Sequence, residues 1–317
     1  MATPADTTCN VCAEVVRGDQ PPVWVKDGFD IVRCPGCGLV FRRELPAPVE
    51  LREIYSEEYF RRPPDDAAGQ GYADYLSEEE LHRLNGALRV RKLGALTAPG
   101  RLFDVGAAAG FFMDEARRSG WDVAGIDVSP QMSGWGRERL GLDLRHGDFR
   151  EADLVEGSYD AVTMWDYIEH SLDPVGDLRR AWALVAPGGV LGISTGDVSA
   201  LVARLSGRRW HLLTPRHHNF FFSADTLARA CERAGFDVVS TGYPAARYSL
   251  GYLAFKLRAM VPESRVVRRA GNAFGRSRAG RLAVPVNLWD IVTLFARRPP
   301  APAELGPFAA KRDNPSP

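Results

Sequence analysis

The sequence predicts an α/β protein built on a mostly parallel sheet, with a small cysteine-bearing module in front of it. Three observations carry that expectation. From residue 102 onward, apolar strand-like runs ("LFDVG", "DVAGIDVS", "LDLRHGD", "YDAVTMW", "VLGIST") alternate with helical stretches, the pattern of a parallel sheet covered by helices on both faces. Ahead of them stand two CxxC pairs separated by about twenty residues. The bulk composition, 45% hydrophobic and 25% charged over 317 residues, is that of a globular chain large enough for more than one unit.

The cysteines come first along the chain. Cys9 and Cys12 ("CNVC") and Cys34 and Cys37 ("CPGCG") have the spacing of two knuckles that bring four thiolates to one ion, which predicts a zinc ribbon over residues 1–45. A segment this short has little apolar surface of its own, so metal binding would supply its folding energy. With every position a thiolate, none is left open for water, and the site reads as structural. The alternatives are a redox dithiol pair or disulfides, which a reducing compartment disfavours. The ribbon has no basic stripe interleaved with aromatics, so it reads as a scaffold or substrate-side cap rather than an RNA reader. The fifth cysteine, Cys231 in "DTLARACERAGF", falls on an apolar helix face and reads as a core thiol.

Residues 46–99 are expected to form a helical linker, with "GYADY" placed to cover a ligand. Ligands of open parallel sheets bind beyond the carboxyl ends of the strands, and the first such end is Asp104-Val105-Gly106-Ala107-Ala108-Ala109-Gly110. A dinucleotide fingerprint would need GxGxxG; here the spacing is GxxxG and two phenylalanines follow. A pyrophosphate is poorly served by such a loop, and a ligand without phosphates fits better.

"DVGAAAG", followed by "GIDVS", resembles the first two signature motifs of class I S-adenosylmethionine (SAM) methyltransferases, with Ala108 where the middle glycine is usual. "HGDF" (146–149), "YDAVTMWDYIEHSLDP", "ALVAPGGVLGIST" and "NLWDIVTLFARRP" resemble the later motifs in the right order, so the likeness spans residues 100–298. It implies a Rossmann-like sheet with an antiparallel last strand and SAM as cofactor. By that likeness Asp127 accepts the ribose hydroxyls, Asp148 the adenine amino group, and Phe149 supplies an amide and an apolar wall. Gly106, Ala108 and Gly110 let backbone approach the methionine portion, Asp104 orients the loop, and Trp165 completes the cofactor set. For Asp127 and Asp148 the plainer reading is turn capping between strand and helix.

A methyl acceptor must be aligned and, for a hydroxyl or carbon acid, deprotonated. His170, in "WDYIEHSLDP", and His218, in "RRWHLLTPRHHNFFFS", resemble histidines of ubiquinone-type O-methyltransferases and are the candidate catalytic residues; loop hydrogen bonding or packing is the alternative for each. "MWDY" stands where base-amino methyltransferases carry Asn/Asp-Pro-Pro-Tyr/Phe, which argues against N6-adenine or N4-cytosine as acceptor. Insertions are expected at 196–222 and 244–285. Within the second, "RYSLGYLAFKLRAMV" reads as an amphipathic basic helix, and 247–281 hold nine Arg or Lys against the single Glu263. That segment suggests a lid, or a receiver for an anionic or carrier-linked acceptor or a membrane surface.

The expected activity is therefore SAM-dependent methylation of an oxygen or carbon of a small molecule: a sugar, natural product or phenol. An rRNA methyltransferase and a non-catalytic SAM-binding or zinc scaffold are the competing readings. The formal net charge of zero gives nucleic acid no global attraction. No signal peptide or transmembrane run is visible, which predicts a cytoplasmic protein, and residues 299–317 read as a disordered tail.

Overall fold

The computed structural model describes residues 5–47, 75–259, 277, 279–280 and 282–300. Its largest sheet is built from β6 (Arg101–Val105), β7 (Asp122–Asp127), β8 (Asp143–His146), β9 (Tyr159–Trp165), β10 (Val185–Gly196), β12 (Asp237–Gly242) and β15 (Ile291–Arg297). The spatial order is β12-β15-β10-β9-β6-β7-β8. Strands β6 to β10 run parallel, while β15 is antiparallel to both β10 and β12. Leu102 through Val105 are all buried, as expected of a strand covered on both faces.

The chain leaves β6 towards β7 and β8 on one side, then crosses back to β9 on the other. Leu102 accordingly pairs with both Val123 and Ala161. The connections diverge at the β6/β9 boundary and open a crevice at the strand ends. Short-range signals start the helices around it. In α3 (Pro130–Leu140) Ser129 caps the Met132 amide at 3.3 Å, and in α4 (Pro174–Leu184) Asp173 caps that of Gly176 at 3.0 Å; both begin with proline. Before the sheet, α1 (Glu79–Gly94) packs on α2 (Phe111–Arg118). It occupies the described end of the expected helical linker, and of "GYADY" only Tyr75 lies among the described residues.

The cysteine module pairs β1 (Thr7–Thr8) with β2 (Val15–Val16), and sets β3 (Trp24–Lys26), β4 (Phe29–Arg33) and β5 (Val40–Arg42) in a second sheet. That sheet gains a fourth strand from far along the chain: β11 (Phe220–Phe221) adds to β5, with Phe220 opposite Phe41 and Phe221 opposite Val40. One face (Val32, Phe41) joins the core under the large sheet, and the other (Ile31, Val40) packs on Val198, Trp210 and Leu213. The module is thus continuous with the main core. Cys231, on α5 (Ala224–Arg233), is fully buried in that core as expected.

One expectation is corrected. The basic helix begins at Leu250, as α6 (Leu250–Ala259), and Arg247 belongs instead to a strand, β13 (Ala246–Ser249), paired with β14 (Ala283–Val286). The reason is long-range: the Asn85 side chain donates to the Arg247 carbonyl at 3.0 Å and accepts from its amide at 2.8 Å, holding it extended. Arg265, Arg268, Arg269, Arg276, Arg278 and Arg281 lie outside the described residues, as does most of the expected tail. Among the described residues no helix is long and apolar enough to cross a membrane.

Candidate active site

A cavity of about 430 Å³ occupies the crevice. Its floor is the turn after β6. Gly106 is left-handed (φ +71°), and a Cβ there would lie 2.8 Å from the Tyr167 ring. Ala108 also takes a left-handed φ of +49°, uncommon for a residue with a Cβ. Most amides of the turn are engaged within the protein: Gly106 and Ala107 donate to the Ile126 carbonyl at 2.9 and 3.1 Å, and Gly110 donates to Ala107 at 2.9 Å. The Ala108 amide donates to Asp127 Oδ2 at 2.7 Å. With those donors engaged, and a carboxylate beneath them, the turn is no nest for a pyrophosphate.

Asp127 ends β7, and its second oxygen accepts from the Ser129 amide at 2.8 Å. Burial pushes it up to about 6, against those two amides. Asp104 lies deeper and accepts from the Thr163 hydroxyl at 2.6 Å; burial carries it up to about 7. Asp148 accepts from the Arg150 amide at 2.9 Å. The capping anticipated for Asp127 and Asp148 is therefore present, and both also line the cavity. Phe149 is buried, tilted against Phe103 and edge-on to Tyr167. Trp165 is wedged between Phe112 and Phe295 under the Arg89 guanidinium, and its buried Nε1 has no hydrogen-bond partner among the described residues. Gly110 stands apart from the predicted set. It caps α2 at φ +80°, and a Cβ there would come within 2.5 Å of Leu142; it is not among the cavity-lining residues.

Across the cavity, the turn after β9 carries Asp166, Tyr167, Glu169 and His170. The rings of His170 and His218 meet edge to face at 4.7 Å, although the residues come from distant segments. His170 Nδ1 lies 3.0 Å from the His217 carbonyl and His218 Nδ1 2.9 Å from that of Leu212. A carbonyl can only accept, so each Nδ1 carries the proton and each Nε2 keeps its lone pair. Burial pushes His170 down to about 4. Burial, and then the neighbouring Asp166 charge, pushes Glu169 up to about 8. Its Oε2 is buried without a partner among the described residues. Glu169, His170 and His218 each place one ligand atom within 4.8 Å of the others, an arrangement that could hold a divalent cation.

Several contributors escaped sequence reasoning. Burial opposes ionisation of Asp166, but the Arg89 guanidinium at 2.6 Å and the Ser194 hydroxyl at 2.9 Å hold it below the usual carboxylate range. Its φ of +53° is a strained feature at the cavity wall. The rings of Tyr75, His82 and Phe111 cluster near-parallel along one side, each against the other two. Asp166 was visible within "WDYIEH"; Arg89 and His82 carry no local signal, because only the packing of α1 over α2 brings them here.

The cysteines converge as their spacing requires. Cys9 and Cys37 Sγ lie 3.6 Å apart and Cys12 and Cys34 Sγ 3.4 Å, with every ligand atom within 4.8 Å of the rest. Tetrahedral zinc with Zn–S near ~2.3 Å separates its sulfurs by about 3.8 Å, so the tetrad could hold such an ion.

The chain matches the family described as "Methyltransferase domain" over residues 75–241. It is 31% identical over 179 residues to the ubiquinone biosynthesis O-methyltransferase of Aromatoleum aromaticum, covering 52% of this chain and 76% of that protein. To the protein of the same name from Xanthomonas campestris pv. campestris it is 32% identical over 126 residues, covering 37% of this chain and 52% of the other. A solved structure of Haemonchus contortus phosphoethanolamine N-methyltransferase 2 with S-adenosyl-L-methionine superposes with a TM-score of 0.54 at 15% identity, over 82% of this chain and 62% of that one. At that identity the superposition establishes the fold. Strand order, crevice and family match together place the chain in the class I SAM-dependent methyltransferases.

Proposed function

We propose that the protein transfers a methyl group from SAM to an oxygen or carbon of a small molecule, with phenol-like acceptors foremost and sugars and natural-product scaffolds as further candidates. One observation carries this reading: the Gly106–Ala108 turn with Asp127 and the Glu169–His170–His218 cluster open into the same cavity. The similarity to ubiquinone O-methyltransferases supports the phenol class.

Bound SAM supplies a methyl on a sulfonium centre. The residues present fit it: the Gly106, Ala107, Ala108 and Gly110 amides are engaged within the protein, so the turn is not built to receive a phosphate, and the buried Trp165 Nε1 offers a donor. Asp127 and Asp148 would take the ribose hydroxyls and the adenine amino group, Phe149 an apolar face, and the Gly106–Ala108 backbone the methionine portion. Asp104 steadies the turn through Thr163. Trp165 and Tyr167 wall the crevice with apolar surface and keep water from the reacting atoms. On the acceptor side, His218 Nε2 is the proton acceptor. His170, too weakly basic at about 4, orients the acceptor through its own lone pair.

Zinc in the cysteine tetrad and a cytoplasmic location, where thiols stay reduced, belong to the same reading. The arginines that suggested an anionic or carrier-linked acceptor, Arg265 to Arg281, lie outside the described residues. A second reading of the acceptor side rests on the ligand geometry of Glu169, His170 and His218: a cation held there would acidify the acceptor hydroxyl.

Calorimetric titration of S-adenosylhomocysteine, with NADH as control, tests the cofactor assignment. Wild type is expected to bind it and ignore NADH, and Asp127→Ala to bind about ten- to a hundredfold more weakly, the worth of a charge-assisted hydrogen bond. Failure of wild type to bind would overturn the reading. With radiolabelled SAM and a panel of catechols and sugars, His218→Ala should lower turnover by about 10²–10⁴-fold. Turnover within a few-fold of wild type would remove the base, and activity lost to chelators and restored by Mg²⁺ or Mn²⁺ would favour the cation.

A further inference from the structure

The acceptor-side cluster is held from behind by the cysteine module, and one residue makes the connection. Asn219 follows His218 and is 1% exposed. Its amide N–H donates to the Glu169 carbonyl at 2.8 Å. Its Nδ2 donates to the carbonyls of His170 at 3.0 Å and Ser171 at 3.2 Å. Facing the other way, its carbonyl accepts from the Arg42 amide at 2.9 Å, and its Oδ1 from Arg42 Nη1 at 3.4 Å. Arg42 ends β5, and its guanidinium lies over the Phe29 ring of β4 at 4.1 Å. The Cys34–Cys37 knuckle connects these two strands, and the Cys34 amide donates to the Leu39 carbonyl at 2.8 Å.

We propose that Asn219 is a positioning residue coupling the four-cysteine module to the Glu169–His170–His218 cluster, so that the ordered, metal-loaded module sets the acceptor side of the cavity without setting the cofactor side. The inference rests on the reading of that cluster as acceptor machinery. Three features support it. Asn219 fixes three consecutive carbonyls of the turn that carries Glu169 and His170, so the placement of both side chains follows from its own. The next residues, Phe220 and Phe221, are locked as the fourth strand of the module's sheet, which fixes the preceding His218 as well. The cofactor side has separate supports, since the bonds of Gly106, Asp127 and Asp148 run to Ile126, Ala108, Ser129 and Arg150, none of them in the module. A module that only lent bulk stability would not need a side chain satisfied on both sides of the boundary.

The full-length, zinc-loaded protein tests this without a known acceptor. Asn219→Asp keeps the volume and the acceptor for Arg42 but replaces both donors with a carboxylate facing two carbonyls. S-adenosylhomocysteine affinity should stay within about twofold of wild type, as for sites that share no partners. In ¹⁵N-histidine spectra, the ring signals of His170 and His218, assigned through His170→Gln and His218→Gln, should leave the Nδ1–H form for a mixture of tautomers. Zinc chelation of wild type should move the same signals the same way. Unchanged signals in a variant that still binds S-adenosylhomocysteine would overturn the coupling. Should Asn219→Asp not fold, zinc chelation of the wild type decides: unmoved ring signals there, in protein that still binds S-adenosylhomocysteine, overturn the proposal. Wild type that fails to bind S-adenosylhomocysteine refutes the cofactor assignment instead, while its ring signals still report on the coupling.

Discussion

Asp104 and Asp127 lie beneath the turn that faces the cofactor, and desolvation raises both. For Asp104 the native state keeps its proton up to about pH 7, while the unfolded chain releases it near the ordinary carboxylate value of 3.8. Between those values the native state binds the extra proton, so its stability falls as pH rises. Asp104→Asn retains an acceptor for Thr163 and cannot ionise. Its melting temperature relative to wild type should therefore climb steadily from pH 4 to pH 7; a flat difference would show that Asp104 ionises normally in the fold. The identity of these aspartates was legible in the motif order. Their proton affinity was not, because it depends on how completely β9 and Thr163 shut out water.

Helix α3 shows the same contrast between local preference and packing. Gly134 and Gly136 are two positions apart in one helix, where propensity alone favours alanine at both by about 1 kcal/mol. A Cβ at Gly134 would meet only Arg137 Nη2 at 3.9 Å. At Gly136 it would come within 2.8 Å of the Ala109 carbonyl and 2.7 Å of Leu144. Gly134→Ala should raise the melting temperature slightly. Gly136→Ala should lower stability by about 1–3 kcal/mol through overpacking, and should weaken S-adenosylhomocysteine binding by displacing the turn. Two shifts of the same sign would contradict the close approach of α3 to that turn. The Ser129 and Asp173 caps and the prolines that follow them start α3 and α4 through local contacts; nothing local announced that β13 would replace the first turn of the basic helix.

At the scale of the whole molecule, the module and the large sheet share one hydrophobic core, with Cys9, Val32 and Phe41 in the same cluster as Phe103 and Leu191. Lys26 reaches across to the Leu213 carbonyl at 2.6 Å. Zinc-loaded protein should accordingly melt in one cooperative transition by calorimetry. A separate low-temperature transition assignable to the module would refute that continuity. Deleting residues 1–45 would uncover Phe220, Phe221 and Phe222, each buried, and should yield aggregated protein rather than an independent methyltransferase domain. Metal removal should depress the melting temperature for the same reason.

The sequence by itself determined what short-range chemistry can specify: the strand–helix alternation, the glycine-bearing turn, the acidic residues closing successive strands, and two thiol pairs at knuckle spacing. Each depends on periodicity or on contacts within a few residues, so it is written locally. The tertiary structure alone decided that residues 220–221 complete the module's sheet, that Asn85 holds Arg247 extended, that Arg89 pairs with Asp166, and that His170 meets His218. These contacts join segments 48 or more residues apart, where desolvation and hydrogen-bond satisfaction are settled only once the sheets have packed.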